Sequence, residues 1–318
     1  MTIHFPQSHF STPPMTAKAA APVSWRRMSS VGLGALAAVT ASTLFSIGLV
    51  LQAAAARTVS ADSALRIGIL LQVARRPRWL LGGLVIVIGF GFHVTALTAA
   101  PITVVQPALA AGLLVLIGVG IRDPGERAGV REIAGVAGII VGVVAVTFTA
   151  PGRATSTGSS ESVALALGTL GVAILIPHSL AIFRKNHGGE ASLLATFSAG
   201  ASYAMTGLTT KLFSDHLAAG EWVSALPWLA LTGAVAALAL VDQTSALQER
   251  SIVEVGPIVY VIPVVVPVLL APALVGEGWG AAPHGVAPLV LSLVVVCVAA
   301  AALGGSSAAA RAAAGGRS

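Results

Sequence analysis

Charge is scarce in this chain: Asp, Glu, Lys and Arg make up 9% of its 318 residues, against 56% hydrophobic ones. An ordinary water-soluble domain carries about 25% charged residues, so that class is excluded at the outset. Cysteine is nearly absent, and the single Cys297 rules out an intramolecular disulfide and leaves the redox compartment unread. Catalytic signatures are missing too. There is no Walker lysine loop, no G-x-S-x-G elbow and no His/Cys spacing of a metal site. The seven histidines are scattered, with His4 and His9 near the N-terminus. The intervals between hydrophobic runs leave no room for a soluble catalytic domain. Nothing in the sequence calls for an enzyme, a cofactor or a bound metal.

What the chain has instead is hydrophobic length. Its mean hydropathy is +0.90, and nine strong apolar spans recur, at 31–53, 80–99, 102–121, 133–149, 163–183, 191–212, 225–245, 252–275 and 286–303. A stretch of about 20 apolar residues crosses a bilayer as a helix. In lipid every backbone N–H and C=O must be paired within the segment. Leu, Ala and Val dominate the spans without the dyad alternation of a barrel. The expected fold is therefore all-α: a polytopic helical membrane protein of 9–10 transmembrane helices. A disordered tail is expected over 1–30, a transmembrane domain over 31–303 and a C-terminal tail over 304–318.

The positive charges give the orientation. Arg75, Arg76, Arg78, Arg122, Arg127, Arg131, Arg184, Lys185, Arg250, Arg311 and Arg317 fall on one side if every span from 80 onward crosses once; only Arg153 falls on the other. The net charge of +6 is thus a positive-inside signal rather than a nucleic-acid surface. The Arg-rich side and the C-terminus are read as cytoplasmic, at the plasma membrane. Residues 61–74, "ADSALRIGILLQVA", are short and polar for a crossing. If they cross there are ten helices and the N-terminus is inside; if they do not there are nine and it is outside.

The chain also repeats itself. Shifting residues 96–107 by 150 matches Ala96 to Ala246, Leu97 to Leu247, Ile102 to Ile252, Val105 to Val255 and Pro107 to Pro257. Both copies join two consecutive spans, and by the crossing count they lie on opposite sides. Two inverted-topology repeats follow, with halves at about 31–149 and 163–303, an arrangement common among secondary transporters. Two unrelated interhelical turns are the plainer alternative.

At these residues a family resemblance becomes visible. "GFHVTALTAAPITVVQP" and "DQTSALQ", followed by "VGPIVYVIPV" and "VGEGW", resemble the drug/metabolite transporter superfamily, and within it the NIPA-type magnesium-transporter branch and its bacterial relatives. The similarity runs over 31–303; "ASTLFSIGLVLQ" is similar to the first family helix and "FSAGASYAMTGLTTK" to its counterpart in the second half. The resemblance implies an inverted-repeat helical bundle around a central substrate cavity.

Polar side chains inside the spans are the candidate binding residues, because lipid makes them costly unless they face the bundle interior. His93 sits six residues from the end of its span, and the 150-residue shift sets Gln243 opposite it. Asp242 adjoins Gln243 and is either an interfacial carboxylate or a proton or cation site. Gln106 precedes Pro107, where the helix ladder loses a donor. Glu254 lies in the first turn of its span, where it caps the helix or meets a cation. Tyr260 is a packed aromatic or a ligand contact. Lys211 is expected to snorkel to the surface, and Gly138 with Gly142 forms a GxxxG packing face. Together these give a carrier of a small molecule or cation working by alternating access, with a NIPA-like magnesium permease or a non-transporting scaffold as alternatives. The partners are the bilayer and the substrate, without nucleic acid; a homodimer is left open.

Overall fold

The computed structural model describes residues 23–56, 76–120, 129–154, 158–184, 189–249 and 252–304. Among these residues ten α-helices follow one another: α1 Val23–Ala56, α2 Pro77–Ala99, α3 Ile102–Leu109, α4 Gly112–Gly120, α5 Val130–Thr149, α6 Ser160–Phe183, α7 Gly189–Ala218, α8 Trp222–Glu249, α9 Ile252–Val275 and α10 Val286–Gly304. A 3₁₀ turn at Trp279–Ala281 precedes α10. No strand occurs among the described residues. The all-α expectation is met, as the internal pairing of backbone groups requires.

Among the described residues six helices are long and apolar enough to cross a membrane: α1, α2, α6, α8, α9 and α10. Their outward faces carry large bare aliphatics, such as Leu84 and Val87 on α2, Leu165 and Leu175 on α6, and Leu291 and Val298 on α10. A water-soluble protein does not leave that much apolar surface exposed. The chain is a multi-pass membrane protein. The remaining three spans are built differently. The 102–121 span is broken into α3 and α4 at Ala110–Ala111, and α5 holds a shorter apolar stretch, Ile133–Thr149. Helix α7 is polar yet buried almost throughout, from Ala191 to Ser214; the other helices, rather than lipid, surround it. Helix α1 begins at Val23, inside the stretch expected as tail. Residues 61–74 lie outside the described residues, but α1 packs antiparallel to α2, Gly34 against Ala96 and Ala100 and Gly48 against Gly82 and Ile86. Ala56 and Arg76 therefore sit at the same end of the bundle, as the nine-crossing alternative requires.

The internal repeat appears as matched contacts. On α1 and α2, Gly34 packs on Ala96 and Phe45 meets His93 edge-on, their ring centroids 6.0 Å apart. On α7 and α8, Ser192 donates to Ala246 O at 3.2 Å and the Tyr203 hydroxyl donates to Gln243 Oε1 at 2.6 Å. A shift of 158 carries Gly34 and Phe45 onto Ser192 and Tyr203, while a shift of 150 carries Ala96 and His93 onto Ala246 and Gln243. The same two shifts carry the Ser42–Gly112 contact onto Gly200–Ile262. Helices α1 to α5 thus correspond to α7 to α10, with α6 outside the correspondence. Helix α1 runs toward the Arg-rich end and α7 away from it, so the halves are inverted. They also meet at α5 and α10, which cross antiparallel through Gly142 on Val296, Gly138 on Ala299 and Gly135 on Leu303. The GxxxG pair supplies the close approach at this seam.

Candidate functional site

Polar side chains gather along α7 at two levels. The first is in the half nearer the Arg-rich end, between α6, α7 and α8. His178 follows Pro177 inside α6 and places Nδ1 2.8 Å from Asp242 Oδ1 on α8. Ser198 of α7 donates to Ile174 O at 3.1 Å and also lies beside Asp242. The Asp242 side chain is fully buried, and its Oδ2 finds no partner among the described residues. Next to it the Gln243 carbonyl accepts from Tyr203, and Tyr260 of α9 stands near that hydroxyl. A buried carboxylate is stable only when paired or neutral. Here His178, 17% exposed, pairs with it, and Ser198 lies beside it.

The second level lies about 12 Å further along α7, eight residues at 1.5 Å each. Lys211 is fully buried and donates to Asp215 Oδ1 at 2.7 Å, one turn along the same helix. Arg153, from the segment after α5, pairs with the same Asp215 oxygen and donates Nε to Leu97 O at 2.9 Å. Glu277 completes the group. Gly276 has φ 67°, a left-handed conformation that favours glycine, and it turns the chain back after α9. Glu277 then accepts from Ile102 N at 3.1 Å, Thr103 N at 3.3 Å and the Thr103 hydroxyl at 3.1 Å, and so caps the start of α3. The α3 N-terminus needs such an acceptor, because its first N–H groups have no helical partner and Pro101 brings none. Burial pushes the Glu277 carboxyl up from the ordinary range, against the opposing pull of Lys211 and the α3 donors.

The six candidates from sequence therefore divide. Asp242, Gln243 and Tyr260 come together, joined by His178, Ser198 and Tyr203. His93 occupies the matching position of the other half, buried against Phe45 with Nε2 unpartnered among the described residues. Gln106 lies across the seam on Gly207, so close that a methyl group there would collide with its amide. Glu254 falls in the first turn of α9, and its side chain is outside the described residues. One expectation needs correction. Lys211 does not snorkel: Asp215 holds it inside, which is cheaper than lipid contact when a carboxylate lies one turn away. Asp242 is fully buried in the bundle, with His178 of α6 and Ser198 of α7 against it. His178, Tyr203, Arg153 and Asp215 were not singled out from sequence, and Glu277 was noticed only as part of a family-like helix end. Arg153 did carry a signal, as the one basic residue on the wrong side of the charge count. Among the described residues, no three His, Cys, Asp or Glu come close enough to hold a metal ion.

No family model, curated protein or solved structure matches the chain.

Proposed function

We propose that the protein is a secondary transporter of the drug/metabolite transporter type, moving a small molecule or cation across the plasma membrane by alternating access. The observation that carries this reading is the matched pair of inverted halves, with polar groups at the same helix positions facing inward: His93 on α2 and Gln243 on α8. Inverted halves can exchange conformations and so expose one site to either side in turn. The motif resemblance over 31–303 supports the same class. In this reading Asp242, Gln243, Tyr203 and His178 form the polar part of the pathway near the cytoplasm. Gln106 and His93 continue it toward the far side, and no enzyme chemistry takes part.

The test is binding of a metabolite and cation panel to purified protein, then uptake into reconstituted vesicles. At least one compound should bind and accumulate, and Asp242→Asn should slow its uptake. Vesicles that take up nothing that the purified protein binds would overturn the transport reading.

A further inference from the structure

The four charges at the far end of α7 form a balanced set: Lys211 and Arg153 against Asp215 and Glu277. With no net charge to compensate, the cluster has no call for an ionic ligand. Its contacts instead join the two halves. Glu277 belongs to the second half and holds Ile102 and Thr103 of the first. Arg153 ties Leu97 of α2 to Asp215 of α7. The corner they grip, Leu97, Ala100 and Ile102, is fully buried. At the opposite end the Arg184–Glu190 ion pair and the His178–Asp242 contact join helices within the second part of the chain, α6 to α8, and the halves meet there through Arg131 Nε donating to Ala302 O at 3.0 Å, with no carboxylate in that contact.

We propose that Arg153, Lys211, Asp215 and Glu277 are an ionic latch that shuts the bundle at the end away from the Arg-rich loops, and that this structure is the conformation shut there. The proposal rests on the alternating-access reading and adds which residues must part. Charges suit the task for a physical reason. Apolar residues could seal the corner as tightly, but parting them exposes oily surface to water. Parted charges are hydrated instead, so the same groups hold the closed state and tolerate the open one. The cap on α3 adds direction. When Glu277 leaves, the freed N–H groups at Ile102 and Thr103 face the opening and can take water.

The test uses full-length protein with Cys297→Ala, in lipid nanodiscs where a hydrophilic maleimide reaches both faces. A cysteine at Ala100, buried under the latch, should react slowly. Adding Asp215→Asn or Glu277→Gln should raise its rate by about tenfold or more, the population change that follows loss of a charge-assisted hydrogen bond. Thr103→Val removes one donor and no charge and should give a smaller rise. A cysteine at Ala246, buried at the other end, should show no rise in any variant. An unchanged rate at position 100 overturns the latch. A parallel rise at position 246 also overturns it, because the charges would then merely hold the fold together. Reaction at position 100 alone, in a protein whose vesicles move no substrate, keeps the latch and removes the transport reading.

Discussion

Gln106 and Gly207 show how much one missing methyl group can decide. The Gln106 amide fills the place where a β-carbon of residue 207 would stand. Gly207→Ala should therefore cost about 1–3 kcal/mol, the usual penalty for overpacking, read as a lower thermal midpoint in detergent. Gln106→Ala in the same chain should recover most of the loss, and failure to recover would place the strain elsewhere. Glu277 gives a pH prediction. Folding raises its carboxyl above the ordinary value, so the folded state keeps its proton to a higher pH than the unfolded chain does. Its contribution is greatest below the unfolded value and declines as pH rises through the folded one. Thermal midpoints measured upward from about pH 4.5 should fall more in the native protein than in Glu277→Gln. At this scale the sequence was only partly readable. His93 and Gln243 could be paired because the repeat sets them in register. His178 could not be joined to Asp242, which is 64 residues away on another helix. Lys211 was misread because Asp215 sits just past the apolar span, where attention to hydropathy stops.

Helices α3 and α4 show what a cap does for an element. Helix α3 has eight residues, too few to be stable alone, and its first free N–H groups depend on Glu277. Glu277→Ala should speed hydrogen exchange at Ile102 and Thr103 by roughly tenfold, as loss of a cap worth about 1–2 kcal/mol implies. Exchange in α10 should not change. Equal acceleration in both helices would mean a global effect and not a lost cap. Pro107 and the long apolar run suggested a single weakened span, and the structure gives two helices. The break at Ala110–Ala111 lies between Pro107 and Gly112, and its backbone bonds tighten there, Ala110 N donating to Pro107 O and Ala111 N to Ala108 O, each at 3.1 Å. Packing fixes it, with Ser42 and Ser46 of α1 pressed against Gly112 and the Ser46 hydroxyl donating to Gly112 O at 2.8 Å. Contacts of that kind, between residues 66 apart, leave no local trace in the sequence.

For the whole molecule, the count of arginines predicts the orientation and the contacts set the pairing. Val130 and Val223 are both well exposed, at opposite ends of the bundle. In intact cells and a Cys297→Ala background, Val223→Cys should react with a membrane-impermeant reagent and Val130→Cys should not; the reverse result would turn the molecule over. The class of fold was legible because lipid imposes one rule on every span. The correspondence of halves was legible only at twelve residues, since elsewhere Ala, Val and Leu replace one another freely and erase the likeness. Helix α6 takes on a different meaning in this light. On the crossing count read from the sequence, each half makes four passages, with α3 and α4 counted as one. Four is even, so two such units joined end to end would insert facing the same way. A single additional crossing between them changes the parity and turns the second unit upside down. On this count α6 owes its place in the topology to being one passage. Its outer face is free to be plain leucine and isoleucine, while its inner face is not: His178 holds Asp242, Ile174 O accepts from Ser198, and Leu170 and Ala181 pack in the core.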